Sequence, residues 1–294
     1  HNGGGFYESF GTQTELDLKR KKQLNMGKPP VYDRAALALS DADKDALRAE
    51  RGNGHWRFKL DQERINWTDG VLGDISIDAA SVSDPVLIRA DGQFLYTLAS
   101  VVDDVDMCVT NVVRGSDHVT NTATQIQMIQ ALGGTVPTFA HHSLLTGPQG
   151  ESLSKRLGTL ALRDLRASGV EPAALLSLMA RLGSSQPVEI RSTLEEIADG
   201  FEISQFGSAP TKFDADDLYP LTHKYLQGLE LAAVSDEVAA LGVPSELAEQ
   251  FWSVTRENIT TRKDLAAWWD MLSNGADPVI DEEDRDFVAQ AMAL

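Results

Sequence analysis

A serine, a lysine and an arginine stand together at Ser154-Lys155-Arg156, inside a small-polar stretch from Glu151 to Gly158 that follows the turn Thr146-Gly147-Pro148-Gln149-Gly150. Two hydroxyls (Ser152 and Ser154) and two cations on one loop can hold polyphosphate charge while a reaction passes through a charged transition state. The same residues also suit an ordinary surface loop, so the clusters upstream decide the reading. The first is Tyr96-Thr97-Leu98-Ala99-Ser100-Val101-Val102-Asp103-Asp104, a phenol followed by two carboxylates. The second is Val113-Arg114-Gly115-Ser116-Asp117-His118, and the third is His141-His142-Ser143-Leu144-Leu145. A guanidinium at a strand end matches the two oxygens of a carboxylate. Gly115 lets backbone approach a ligand closely, and Lys155 meets phosphate as a compact charge. Together these groups point to a nucleotide beside a carboxylate. Asp103-Asp104 suits Mg²⁺ and equally the N-terminus of a helix. His141-His142 invites a metal reading, but neighbours on a strand face opposite ways and no third ligand is near in sequence, so no metal site is expected there.

Those groups need elements to position them. Thr14 to Asn25 reads as a helix capped by Thr14 and ended by Lys28-Pro29-Pro30. Ser40 to Arg51 reads as a second, with Ser40 as N-cap and Gly52 behind it. Alternation then marks strands at His55 to Leu60, Arg64 to Trp67 and Asp74 to Asp78. Pro85 to Arg89 and Gln93 to Leu98 flank Ala90-Asp91-Gly92 as a hairpin, which puts Tyr96 on a strand. From Val109 the pattern becomes α/β. Val109 to Val113 reads as a buried strand, Thr120 to Leu132 as a helix and Thr138 to His141 as a strand, so a parallel sheet with its ligand at the strand ends is expected. Beyond about residue 163 helical spacing recurs at Ala161 to Ser168, Pro172 to Leu182, Leu194 to Gly200, Ala215 to Leu226, Ser245 to Thr255, Arg262 to Leu272 and Glu282 to Met292.

Composition narrows the class. The 294 residues carry a formal charge of −18, and it is uneven. Residues 1–163 hold 17 Lys and Arg against 20 Asp and Glu, whereas residues 164–294 hold 9 against 24. So acidic a chain is a poor indiscriminate binder of nucleic acid, and any contact must use a local basic face. Lys19-Arg20-Lys21-Lys22 is one candidate, and a solvated helix face is the alternative. The single cysteine, Cys108, rules out a disulfide framework and a cysteine-rich zinc site. No apolar run approaches the ~20 residues of a membrane span, and the cytoplasm is the expected compartment.

The ordered set resembles the glutamyl-tRNA synthetases, a class I family. It comprises Tyr96 with Val101-Val102-Asp103-Asp104, Arg114-Gly115 with Asp117-His118, His141 with Leu144-Leu145, and Leu153-Ser154-Lys155-Arg156. The resemblance runs from about Phe6 to about Leu294. Pro30 to Asp33, Trp56-Arg57-Phe58 and Ser83 to Leu87 are similar to the domain inserted between the halves of that family's catalytic fold. Lys212-Phe213-Asp214 resembles its stem-contact region, and Phe251-Trp252 with Trp268-Trp269 the first helices of its anticodon-binding region.

The implied fold is α/β: a partial Rossmann-type catalytic domain with an inserted α+β acceptor-binding domain, followed by an all-α region. The implied boundaries are an inserted domain at 1–95, the second catalytic half at 96–163, a helical stem-contact region at 164–230 and the start of an anticodon-binding domain at 231–294. The resemblance further implies that Tyr96, Arg114 and Ser100 hold glutamate, although Ser100 stands where many members have Asn. It implies that Asp117, His118, Leu144, Leu145 and Lys155 meet ATP, that Lys155, Ser154 and Arg156 carry the catalytic charge stabilisation, and that Asp103, Asp104, Lys19 and Lys22 meet tRNA. In the family's Lys-Met-Ser-Lys-Ser loop the first Lys is replaced here by Ser152, so Lys155 and Arg156 carry more of the triphosphate charge.

The implied substrates are ATP with Mg²⁺, L-glutamate and the tRNA for glutamate, the reaction passing through glutamyl-adenylate. No structural zinc, no membrane partner and a monomer are expected. The family's His-Ile-Gly-His-type motif is absent from the sequence. The expectation the resemblance implies is therefore a chain beginning roughly 90 residues late, judging by where the inserted domain starts in that family and by ordinary domain size, ending before the anticodon-binding region is complete, and giving no ATP–pyrophosphate exchange alone. The runner-up is a non-catalytic tRNA-binding or regulatory module of the same origin.

Overall fold

The computed structural model describes residues 5–151, 153, 161–275, 281–285 and 289. The chain forms two compact units, His1–Leu144 with Glu202–Thr211, and Leu145–Phe201 with Lys212–Leu294.

In the first unit, strand β1 (Phe6–Ser9) leads to helix α1 (Gln13–Asn25). The cap of α1 is Thr12, two residues earlier than the spacing suggests: its side chain accepts from the Glu15 N–H while the Glu15 carboxylate accepts from the Thr12 N–H. No residue of α1 is buried, and Leu18 and Leu24 stay exposed, so the partial apolar spacing serves no core. Helix α2 (Asp41–Arg51) starts at Ser40 and closes on Gly52 as expected.

Strand β2 (His55–Phe58) lies between β1 and β5 (Val86–Ile88) in an antiparallel sheet. Its ends are tied by a buried polar knot. The Asp84 carboxylate accepts from the Tyr7 hydroxyl at 2.6 Å, Arg34 Nη2 at 2.7 Å and the Leu60 N–H at 3.0 Å. Arg57 donates to the Asp84 carbonyl and lies 3.9 Å over the Tyr32 ring. Burial and the neighbouring Asp84 charge push the Tyr7 phenol far up.

The second sheet runs β4-β3-β7-β6. Strands β3 (Arg64–Asp69) and β4 (Gly73–Asp78) form an antiparallel hairpin. Strands β6 (Asn111–Gly115) and β7 (Thr138–His142) are parallel, and Asp69 of β3 joins them by pairing with Phe139. Two expectations need correction here. Pairing after the Ala90-Asp91-Gly92 turn stops at a lone Ile88–Phe94 bridge, and Tyr96 opens helix α3 (Tyr96–Asp106) instead of lying on a strand. Leu98, Val101 and Val105 then face the core at helical spacing, which outweighs the local alternation. Strand β6 begins two residues later than expected and is not buried throughout: it lies at the sheet edge and leaves Val113 exposed.

Helix α4 (Val119–Ala131) covers both sheets. Met128 and Ile129 join Phe58, Leu60, Leu87 and Val101, while Ala123 and Ile126 join Ile65 and Phe139. Every residue from Thr122 to Ile129 is buried, polar ones included. Gln127 satisfies its amide by accepting from the Asp61 N–H and donating to the Asp61 carbonyl.

The second unit is mainly helical. Helices α5 (Leu162–Ser168), α6 (Pro172–Met179), α7 (Leu194–Ala198) and α8 (Leu218–Gln227) are followed by α9 (Ser235–Ala240), α10 (Ala248–Thr255) and α11 (Asp264–Asn274). One core gathers Leu165, Ala174, Leu178, Phe213 and Leu218. The other gathers Val234, Val238, Phe251, Trp252, Ile259 and Leu265, with Trp268 and Trp269 packed against it. The Trp252 indole N–H donates to the Leu229 carbonyl at 2.8 Å, so even the largest core side chain has its polar atom paired. Of the helix expected from Glu282, a 3₁₀ turn at Glu282–Asp284 is described.

Candidate functional site

The site of the first unit is built where β6, α3 and α4 present their ends. Arg114 sits next to the last residue of β6, directly beside His141 of β7 in the parallel register. Its guanidinium is gripped from two elements. Nη2 donates to Gln125 Oε1 at 2.6 Å and to Thr122 Oγ1 at 2.8 Å, both from α4, and Nε donates to His141 Nε2 at 3.3 Å. These bonds use three of the five guanidinium N–H groups and leave the two of Nη1. Burial pushes the Arg114 guanidinium below its ordinary range, opposed by the Tyr96 hydroxyl within hydrogen-bonding reach and by the charges of Asp104 and Asp117.

Helix α3 supplies the other wall. Tyr96 is its first residue, 62% exposed, with its ring 6.2 Å from that of His118. Ser100 lies one turn on, on the same face, and its hydroxyl accepts weakly from Gln125 Nε2 at 3.3 Å. Asp103 is exposed, whereas Asp104 is half-buried. Burial raises the Asp104 carboxyl above its ordinary range, Arg114 lowers it and Asp103 raises it again. The two neighbouring carboxylates therefore have different surroundings.

The turn after β6 brings His118 beside the Tyr96 ring and the Asp117 charge within reach of Arg114. His118 Nδ1 is 3.2 Å from Asn121 Nδ2, and Asp117 is exposed. Gly115 has an ordinary negative φ, so space rather than conformation is at stake there. A β-carbon would meet the Asp117 carboxylate at 2.6 Å and Leu144 at 3.0 Å. The room expected for a ligand's approach is thus already occupied by these two side chains. Leu144 follows β7 and is 45% exposed, while its carbonyl accepts from the Thr211 N–H. Leu145 belongs to the second unit and packs on the core of Leu165 and Phe213. Ser154, Lys155 and Arg156 lie outside the described residues. Lys19 and Lys22 are exposed on α1, and Lys19 is paired with Asp33 at 2.7 Å.

The structure thus brings Tyr96, Ser100, Asp104, Arg114, Asp117 and His118 together, and it adds residues that spacing did not suggest. Thr122 and Gln125 are the chief additions, three apart on one face of α4. Asp69 is another: its carboxylate, 72 residues before His141, lies 2.5 Å from His141 Nδ1. Both are buried, as the opposite-face argument allows for His141, while His142 faces outward. Among the described residues no group of three or more His, Cys, Asp or Glu is placed to hold a metal ion, and no helix is long and apolar enough to cross a membrane.

Comparison with known proteins gives this geometry its context. The chain is 76% identical over 291 residues to "Glutamate--tRNA ligase 1" of Roseobacter denitrificans, covering 99% of the chain and 66% of that protein. It is 74% identical over 291 residues to "Glutamate--tRNA ligase 2" of a Ruegeria species, with the same coverage. The chain therefore spans 66% of the length of these curated relatives. The crystal structure of a glutamate tRNA ligase from Elizabethkingia meningosepticum superposes with a TM-score of 0.82 at 24% identity, covering 99% of this chain and 65% of that one, which establishes the fold as mixed α/β with a helical C-terminal region. Residues 2–220 match the family described as tRNA synthetases class I (E and Q), catalytic domain, and with the Arg114 cradle at the end of its parallel strands the chain belongs to that family.

Proposed function

We propose that this chain serves the ATP-dependent attachment of L-glutamate to tRNA, through a glutamyl-adenylate. The observation that carries the proposal is Arg114, fixed by three side chains with two N–H groups left over and the Tyr96 phenol beside it. A fork held in this way suits one carboxylate of fixed orientation. Relatives that share about three residues in four and are named as glutamate–tRNA ligases support glutamate as the acid.

In this reading Arg114, Tyr96 and Ser100 hold glutamate, while Asp117, His118, Leu144 and Leu145 meet ATP. Lys155, Ser154 and Arg156 stabilise the charge that develops on the pyrophosphate leaving group, leaving the acyl-phosphate anhydride for attack by a 3′-terminal hydroxyl of tRNA. Mg²⁺ arrives with the triphosphate as part of the substrate. Asp103, Asp104, Lys19 and Lys22 meet tRNA. The four-part division at residues 95, 163 and 230, a monomeric state and a cytoplasmic setting belong to the same proposal.

The test is a titration of L-glutamate, L-glutamine and D-glutamate into the ¹⁵N-labelled chain, followed by NMR. L-Glutamate should perturb the Arg114 and Gly115 signals selectively, and Arg114→Ala should abolish the response. Equal responses to all three amino acids would count against the assignment. In the enzyme that carries this chain, Lys155→Ala should slow ATP–pyrophosphate exchange far more than it weakens glutamate binding.

A further inference from the structure

Behind Arg114 stands a buried chain of polar groups that meets solvent only at its far end. The Asp69 carboxylate accepts from five donors: the His141 N–H at 2.9 Å, the Val71 and Leu72 N–H groups at 3.1 Å each, the Trp67 indole N–H at 3.4 Å, and the His141 ring at Nδ1. His141 is wholly buried, and its other nitrogen faces Arg114 Nε at 3.3 Å and Thr122 Oγ1 at 3.0 Å.

The chemistry of those contacts sets the tautomer. Arg114 Nε can only donate, so His141 Nε2 must accept and carry no hydrogen. The ring hydrogen is then on Nδ1 and points at Asp69. Thr122 agrees with this, because its oxygen already accepts from Arg114 Nη2 and its own hydrogen is available for Nε2 or for the His118 carbonyl. An imidazolium here would put a second cation against the guanidinium and a hydrogen against a hydrogen. The buried negative charge therefore reaches the guanidinium through a neutral ring, and the Nε edge of Arg114 is held by buried residues of β3 and β7.

We propose that Asp69 and His141 are positioning residues for the substrate acid. Asp69 locks the His141 tautomer, and His141 Nε2 then locks the Nε edge of Arg114, so that Nη1 is presented to the carboxylate in one orientation. The proposal rests on the reading that Arg114 holds glutamate. Fully satisfied buried networks of this kind can contribute more than the sum of their pairs, as orientation shells do around metal-bound histidines.

The test uses the chain itself and has two arms. In the first, NMR of the ¹⁵N-labelled chain reads the His141 tautomer and looks for a through-hydrogen-bond coupling between Arg114 Nε and His141 Nε2. An Nδ1–H ring with that coupling is expected. An Nε2–H ring, or a freely exchanging Arg114 Nε–H, overturns the proposal whatever the chain binds.

The second arm compares glutamate affinity in His141→Gln and His141→Asn. A glutamine oxygen can take the place of Nε2 and still accept from Arg114, whereas an asparagine amide replaces only the Nδ1 side and keeps the bond to Asp69. His141→Asn should therefore weaken glutamate about tenfold or more, and His141→Gln by no more than about threefold. Asp69→Asn should behave like His141→Asn and erase the Arg114 coupling. The reverse order of the two His141 variants, or equal losses in both, would mark a role in packing alone and overturn the proposal. If the wild-type chain shows no response to glutamate, the functional reading fails, and the tautomer measurement still decides the positioning claim.

Discussion

Arg114 Nη2 lies 2.6 Å from Gln125 Oε1, and that glutamine is buried on a helix whose whole central stretch is buried. Arg114 is therefore anchored on one side to a buried side chain of the core, and in the proposed function its other side meets the substrate acid. A lysine at this position cannot meet Gln125, Thr122 and His141 together, because its ammonium is a single point on a flexible stem. Arg114→Lys should weaken L-glutamate binding about tenfold or more, and the groups it leaves unpaired should cost about 1–3 kcal/mol of stability. NMR titration and urea unfolding of the same variant measure both. Unchanged affinity with lowered stability would assign Arg114 to the core alone.

The Asp69 carboxyl carries a pH signature. Burial alone would raise it, but the bond to the His141 ring, then the N–H groups of His141, Leu72 and Val71, outweigh burial and hold it at about 2 against an ordinary 3.8. A carboxyl lowered by folding contributes stability that is fully present above the unfolded value and is lost as pH falls through the folded one. The window is therefore about pH 4 down to about pH 2, and a shift of this size corresponds to about 2 kcal/mol. Urea unfolding across that window should show wild type losing its advantage over Asp69→Asn as the solution becomes acid. A difference independent of pH would mean the carboxylate is not the group responsible.

How far the sequence carried the site follows from distance along the chain. Arg114, Asp117 and His118 occupy one short stretch, and their types already speak of a carboxylate and a nucleotide. Tyr96 was legible as a candidate although its element was not: the alternation around Phe94 mimics a strand, and the helix wins only because Leu98, Val101 and Val105 reach the core formed by Phe58 and Leu87. Asp69 carried no local signal, since its partner His141 is 72 residues away and the two meet only through the pairing of β3 with β7. Thr122 and Gln125 read as ordinary polar positions of a helix. Their burial depends on α4 lying against two sheets at once, which no single helical period encodes. The cap of α1 lies two residues before Thr14 because Thr12 and Thr14 are both competent, and the reciprocal bond to Glu15 selects the first.

The knot at Asp84 should dominate the stability of the antiparallel sheet. Tyr7→Phe removes one hydrogen bond to a carboxylate and should cost about 1–3 kcal/mol. Asp84→Ala strands the Tyr7 hydroxyl and the Arg34 charge together, and a buried charge left without its partner costs more, about 3–5 kcal/mol. In a double-mutant cycle the two losses should fall short of additive, because both remove the same 2.6 Å bond. Strict additivity in unfolding experiments would show that the phenol and the carboxylate do not interact.

Helix α1 offers a finer test of the proposed tRNA contact, because its two candidate lysines are not equivalent. Lys19 Nζ already has the Asp33 carboxylate at 2.7 Å, and that bond is the leading cause holding its amine above the ordinary range. Lys22 is exposed, and among the described ion pairs none includes it. A phosphate contact releases counterions only to the extent that the cation was unneutralised beforehand. Lys22→Ala should therefore lower tRNA affinity more than Lys19→Ala and reduce the slope of log affinity against log salt by about one. Asp33→Ala should act in the opposite sense, freeing Lys19 and strengthening binding at low salt. Gel-shift titrations at several salt concentrations read all three variants, and a larger loss for Lys19→Ala, or weaker binding in Asp33→Ala, would remove α1 from the interface.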